Sequence, residues 1–208
     1  RHSVKGGEKF YFTRQDDRRQ YDVITTATML NVFLRNSPYV AMANYIFPVN
    51  GHGLVKTVGE NDAYRSVIYV FELYRKHLVG KLLNVDVAGA GVANVRLGDY
   101  ARLDGDVTAN TRSIEQDLCF VDAAATMNDS GEICIALTNR SHDKAQKIKL
   151  DIPEGYSVAE VWSLESDDIA AANTPENRDA VQPELLKEKK STLSLKPCGL
   201  KIVVCRAK

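Results

Sequence analysis

The feature that most constrains this chain is a change of hydrophobic period at Gly80. Before it, apolar residues recur every three to four positions or run on without a break; after it, they alternate, and the two patterns belong to different architectures. Val23, Ala27, Leu30 and Leu34 keep helical spacing, with Met29 and Phe33 widening the stripe, so a helix is predicted over residues 21–36. Ser37-Pro38 ends it, because proline disfavours helical geometry in the residue before it. The run YVAMANYIFPVN, residues 39–50, is almost continuously apolar and reads as a strand covered on both faces, as in a parallel sheet under helices, with Pro48 near its end. Asn61 or Asp62 then caps a second helix that carries Ala63, Val67, Phe71, Tyr74 and Leu78 on one side. Arg75, Lys76 and His77 suit the negative end of that helix, and Gly80 can stop it. Residues 1–20 show neither period and read as loop.

Beyond Gly80 the alternation is plain in Leu83-Val85-Val87, Ile133-Ile135-Leu137, Ile148-Leu150-Ile152, Leu193-Leu195 and Ile202-Val204. Turn-forming text such as Asn128-Asp129-Ser130-Gly131 and Pro153-Glu154-Gly155 separates these strands. An independent antiparallel β-sandwich is expected over residues 81–208, preceded by a helix-strand-helix segment over residues 1–80. Residues 88–116 are read mostly as loop, with a weak strand signal at 92–97.

Several function classes are excluded early. Lysine plus arginine equals aspartate plus glutamate at 27 each, so no long-range field gathers phosphate backbones or anionic lipid, and neither nucleic acid nor membrane is expected as a partner. The apolar runs are too short to cross a bilayer as helices. Cys119, Cys134, Cys198 and Cys205 lie in or beside predicted strands without metal-ligand spacing, and the four histidines are scattered. Free thiols in a sandwich are the simplest reading, and no cofactor or metal is expected.

The strings LNVFLRNSPYVAMANYIFPVN, YVFELYRKH, FVDAAATMNDSGEICIALTNRS, AANTPENRDAVQP and LKPCGLKIVVCR resemble successive blocks of the α-L-arabinofuranosidases of glycoside hydrolase family 51. The resemblance implies the end of a catalytic (β/α)8 barrel leading into a jelly-roll β-sandwich. Residues 21–36 would be the seventh barrel helix, 39–50 the eighth strand and 62–79 the eighth helix. It also implies retaining hydrolysis of arabinose-containing hemicellulose, which needs two carboxyl groups about 5 Å apart. The family places both on earlier barrel strands, and GGEKFYF around Glu8 does not match its nucleophile sequence, so no catalytic residue is expected here. Residue 1 is arginine, not methionine, and the half-finished barrel leads to the expectation of a longer natural protein.

What the chain would supply is pocket wall. Barrel active sites lie at the C-terminal ends of the strands. Phe47, Asn44 and Asn50 are therefore the candidate substrate-binding residues, with Tyr45 and the loop 51–61 on the same side. The family often carries a sugar-binding glutamine where this chain has Phe47. Trp162 is read as a core or interdomain contact, not a sugar platform, and the stretch 173–183 as a turn held by asparagine side chains. Glu72, Asp16-Asp17 and Asp167-Asp168 read as solvated or paired carboxylates. The expected partners are arabinose-containing oligosaccharide or polysaccharide, the rest of the barrel, and a second copy of the chain in an oligomer. Two rival readings are a carbohydrate-binding sandwich without catalytic duty and an oligomerisation module, and cytoplasmic and exported locations both stay open.

Overall fold

The computed structural model describes residues 2–6, 9–13, 17–89, 91–97 and 114–208, with side chains placed at 17–89, 91 and 117–208. Two strands open the chain, β1 (His2–Gly6) and β2 (Lys9–Thr13). Helix α1 (Gln20–Arg35), the hairpin β3 (Val55–Val58) and β4 (Asn61–Tyr64), and helix α2 (Ser66–His77) follow. The β region comprises β5 (Lys81–Leu83), β6 (Val92–Leu97), β7 (Ile114–Cys119), β8 (Val121–Met127), β9 (Ile133–Asn139) and β10 (Gln146–Lys149). It ends with β11 (Tyr156–Leu164), β12 (Glu184–Leu185), β13 (Thr192–Leu195) and β14 (Leu200–Ala207).

Six strands form one antiparallel sheet in the order β12-β11-β14-β9-β8-β5, and β10 pairs with β13 in a second layer. Alternation divides the central strands between two cores, as it must when side chains point to opposite faces at every step. Cys134 and Ala136 of β9 and Leu200, Ile202 and Val204 of β14 turn toward α1 and α2, meeting Val23, Ala27, Val70, Leu73 and Tyr74. Ile133, Leu137, Val203 and Cys205 turn the other way, toward Leu193 and Leu195 of β13. The layers are thus helices, large sheet, small sheet. One face of the main sheet is covered by the two helices, which have no other described layer on which to bury their apolar stripes.

A buried polar network fixes the helices on that sheet. Asn31 of α1 is fully buried and donates from Nδ2 to Asp122 Oδ2 at 2.8 Å. Its Oδ1 lies 2.7 Å from the Tyr74 hydroxyl of α2, which also approaches the Ala27 carbonyl at 3.1 Å. Arg35 pairs with Asp122 at 3.0 Å and donates to the Ala123 carbonyl at 2.7 Å. Burial pushes the Tyr74 phenol well above the usual tyrosine range, and the Asp122 carboxylate adds to the effect, so the hydroxyl stays a donor.

Three local readings change. Residues 2–6 and 9–13 pair as an antiparallel ribbon, His2 opposite Thr13, where loop was expected; KFYFT is β-prone, and pairing outweighs the surrounding charge. Asn61 and Asp62 do not cap a helix: they pair with Val58 and Thr57 in β4, Ala63 is buried there, and Arg65 occupies the cap of α2. Residues 39–50 form no ladder; their sole bridge is Val49 to Val55, and Tyr39, Met42 and Ile46 are exposed. An apolar run can demand burial, but a parallel strand forms only where neighbours accept its backbone, and none of the described residues does so. The weak strand signal at 92–97 is β6, paired with β7, while 98–113 lies outside the described residues.

Gly80 does end the helical region: its φ is +92°, and a Cβ there would meet the Met127 carbonyl oxygen at 2.2 Å. All four cysteines are free, and burial raises the Cys134 thiol to about 11. Trp162 is a helix-to-sheet contact, with the Lys76 ammonium 4.3 Å from its ring centroid, the His77 ring at 5.7 Å and its Nε1 donating to Glu160 at 3.0 Å.

Two measurements check this packing. Tyr74→Phe removes the hydroxyl and leaves the buried Asn31 acceptor short of a donor, so urea unfolding should show a loss of about 1–3 kcal/mol. Burial, reinforced by Lys76, lowers the His77 pKa. The unfolded chain then binds more protons as pH falls through about 6.5, so stability is complete above that pH and drops as pH falls toward the native value. Glu132 and Glu160, held low by hydrogen bonds from Arg206 and Trp162, act only at more acidic pH. His77→Gln should flatten the stability profile as pH falls below about 6.5; an unchanged slope there would remove His77 as its source.

Candidate functional site

The two helices run side by side in the same direction. Ser66, at the start of α2, donates to the carbonyls of Arg18 and Arg19 just before α1, while Tyr74, further along, meets Ala27 and Asn31. Their N-terminal ends therefore lie together. Asp22 accepts from the Arg19 backbone N–H at 2.9 Å, placing a carboxylate at the positive end of α1.

Three pieces of chain converge on this end. The first is the turn after residue 47, held by Arg65, which is only 1 % exposed and donates to the Gly51 and Gly53 carbonyls at 2.6 and 3.2 Å. The second is the β3–β4 hairpin. The third is the sandwich loop 165–183, joined to α1 by the Gln20 and Tyr21 amides, which donate to the carbonyls of Ala171 and Ile169 at 2.9 and 3.1 Å. Gln20 is fully buried and its Nε2 reaches the Leu164 and Cys198 carbonyls at 3.1 and 2.7 Å. Buried Asn173 donates to the Tyr64 and Val181 carbonyls at 2.9 and 2.8 Å and accepts from the Val181 amide at 2.7 Å, as an asparagine-held turn requires.

Phe47, Asn44 and Asn50 all lie on residues leading into this end, and the structure treats them differently. Phe47 sits at φ +58°, which is costly for an aromatic residue, and is 40 % exposed. Asn50, at φ +54°, exchanges two hydrogen bonds with Thr57, donating to its Oγ1 at 2.8 Å and accepting from its amide at 2.9 Å, so its amide braces the hairpin. Asn44 is exposed. Tyr45 packs edge-on against Phe71 at 5.4 Å; burial raises its pKa, and Arg18 opposes the rise.

Charges at this end are mostly paired. Lys56 bonds to Asp17, Arg18 to Asp22 at 3.4 Å, and Arg178 to Asp62 at 3.2 Å. The Glu176 carboxyl is lowered by a hydrogen bond from Thr174. Glu8 and Asp16 lie outside the described residues. Among the described residues no group of three or more His, Cys, Asp or Glu side chains could hold a metal ion. A cleft of about 690 Å³ opens on the other side of the main sheet, floored by Ala123, Ala125, Ile135 and Leu137 and bounded by Val85 and Ile148. Its floor is aliphatic core, and none of the three candidate residues lines it. Sequence reasoning missed Arg65, Gln20 and the approach of the sandwich loop; a charged residue just ahead of an apolar stripe was the sole trace of the first.

Comparison with known proteins adds a family. The model of the α-L-arabinofuranosidase C-terminal domain matches residues 12–198. A probable α-L-arabinofuranosidase C of Aspergillus clavatus is 26 % identical over 152 residues, covering 73 % of this chain and 28 % of that protein. The chain thus spans little more than a quarter of the length of the curated relatives it matches. In fold it is similar to the α-L-arabinofuranosidase of Thermotoga maritima solved as an arabinose complex, with a TM-score of 0.74 at 22 % identity over 94 % of this chain and 40 % of that one. It is also similar to a family 51 α-L-arabinofuranosidase of Bifidobacterium longum, with a TM-score of 0.76 at 16 % identity over 93 % of this chain and 35 % of that one.

The turn that carries Phe47 is testable by itself. A Cβ at Gly53 would lie 2.2 Å from the Phe47 carbonyl oxygen and 2.8 Å from that of Asn50, both backbone atoms that cannot swing aside. Gly53→Ala should cost about 1–3 kcal/mol in urea unfolding. An unchanged midpoint would show that the turn is not built on this close approach.

Proposed function

The chain belongs to the α-L-arabinofuranosidase C-terminal domain family, and on that premise we propose that it is the C-terminal region of a retaining α-L-arabinofuranosidase acting on arabinose-containing hemicellulose. Residues 1–80 complete the catalytic barrel and residues 81–208 form the sandwich that supports it. The observation that carries the reading is the parallel setting of α1 and α2, with the turn 47–54 and the β3–β4 hairpin at their N-terminal ends. In a βα barrel the loop from each strand to its helix lies at that end, which is the substrate side.

On this reading residues 39–50 become the eighth strand when barrel neighbours accept their backbone, and the exposed Tyr39, Met42, Ile46 and Val49 are the surface those neighbours cover. Phe47, Asn44 and Asn50 then face the sugar. The nucleophile and the acid/base are carboxylates outside these 208 residues, so the chain by itself does not break the glycosidic bond.

The purified chain should give no turnover of an aryl α-L-arabinofuranoside above background. Joined behind the barrel-forming segment of a structural relative, it should restore turnover. In that hybrid Phe47→Gln should lower KM by roughly tenfold or less, because a neutral hydrogen bond is worth only about 0.5–1.5 kcal/mol net. Turnover by the chain alone, abolished by changing one of its own carboxylates, would refute the proposal. Loss of folding in Phe47→Gln without any kinetic effect would make Phe47 a packing residue instead.

A further inference from the structure

Tyr64 is a large aromatic residue left 54 % exposed at the end of the molecule where α1 and α2 begin. Its backbone is held from two sides: its carbonyl accepts from Asn173 at 2.9 Å, and the neighbouring Arg65 amide donates to Leu54 at 2.8 Å. Two residues along β4, on the same face of the hairpin, Asp62 pairs with Arg178 of the sandwich loop at 3.2 Å, with both side chains about half exposed. An aromatic side chain and a net-neutral ion pair therefore stand on one face of the hairpin, where it meets the sandwich loop.

This combination fits an uncharged sugar. The negative face of an aromatic ring attracts the polarised C–H surface of a sugar ring. A carboxylate and a guanidinium side by side can accept from and donate to adjacent hydroxyls, and their charges cancel, so an acidic or basic polymer gains nothing from the pair. The surface lies beyond the turn that carries Phe47, on the same end of the helices. We propose that Tyr64, Asp62 and Arg178 form a platform for the neutral polysaccharide chain that bears the arabinofuranosyl group, on the leaving-group side of the scissile bond. This placement rests on the barrel reading given above, and it makes the sandwich loop a contributor to substrate binding as well as to support.

The test is native electrophoresis of the 208-residue chain through gels with and without soluble arabinoxylan, run against a non-binding reference protein. The wild-type chain should be slowed by the polysaccharide. Tyr64→Ala should weaken the retardation at least threefold and Arg178→Gln should weaken it less, with thermal midpoints equal to wild type in both. Polygalacturonate, which carries charge, should slow the chain less than arabinoxylan does. No retardation of the wild-type chain, or equal retardation of Tyr64→Ala, overturns the platform. The two readings also fail separately. A hybrid enzyme that cleaves the aryl arabinofuranoside beside a chain that ignores arabinoxylan sinks the platform and leaves the barrel reading standing. An inactive hybrid beside Tyr64-dependent binding supports the platform and sinks the barrel.

Discussion

Asn31 is the residue on which the arrangement of this molecule turns. One fully buried amide joins three elements: it donates to Asp122 on β8 and accepts from Tyr74 on α2, while lying on α1. Apolar contact alone lets helices slide on a sheet, since it rewards area and not position. A buried amide with a donor and an acceptor partner tolerates no such shift, because losing either partner leaves a desolvated polar group. The register of both helices on the sheet, and so the place where their first turns meet, follows from this triad.

The opposite end is organised in the same way by different residues. Gln20, Arg65 and Asn173 are all buried, and each donates from its side chain to backbone carbonyls of turns, loops or strand ends. Loops carry carbonyls that no ladder satisfies, and burying them is costly unless a side chain supplies the donor. These three residues let a turn with three positive-φ residues, a short hairpin and a sandwich loop occupy one surface. That surface holds the features proposed to meet substrate. The proposed site is thus loop chemistry on a framework of packed helices and sheet, the usual division of labour in enzymes.

Much of this was legible in the residues. Both helices follow from the spacing of Val23, Ala27 and Leu30 and of Val67, Phe71 and Tyr74, and the alternating apolar residues at 133–137 and 202–204 fall in β9 and β14. Trp162 as a packing residue and the asparagine-held turn at 173–183 were legible as well. The hairpin at 55–64 was not, because its four-residue strands are too short to show a period and Asn61-Asp62 looks like a helix cap in isolation. At the candidate residue Asn50, the bracing of Thr57 was not legible, because it depends on a turn geometry that composition does not encode.

By itself the sequence determined which residues seek burial and with what period, and through its blocks of similarity which family the chain belongs to. Those properties are local, because side-chain polarity and backbone preference act within a few residues along the chain. Tertiary structure alone decided what covers what. The helices lie on the sheet face defined by Ala136 and Ile202, the run 39–50 is left without a ladder, and Asn173 brings the sandwich loop against Tyr64 across 109 positions of sequence. Such contacts depend on which partners come within reach once the chain has closed long loops, and no window of residues contains both ends of that choice.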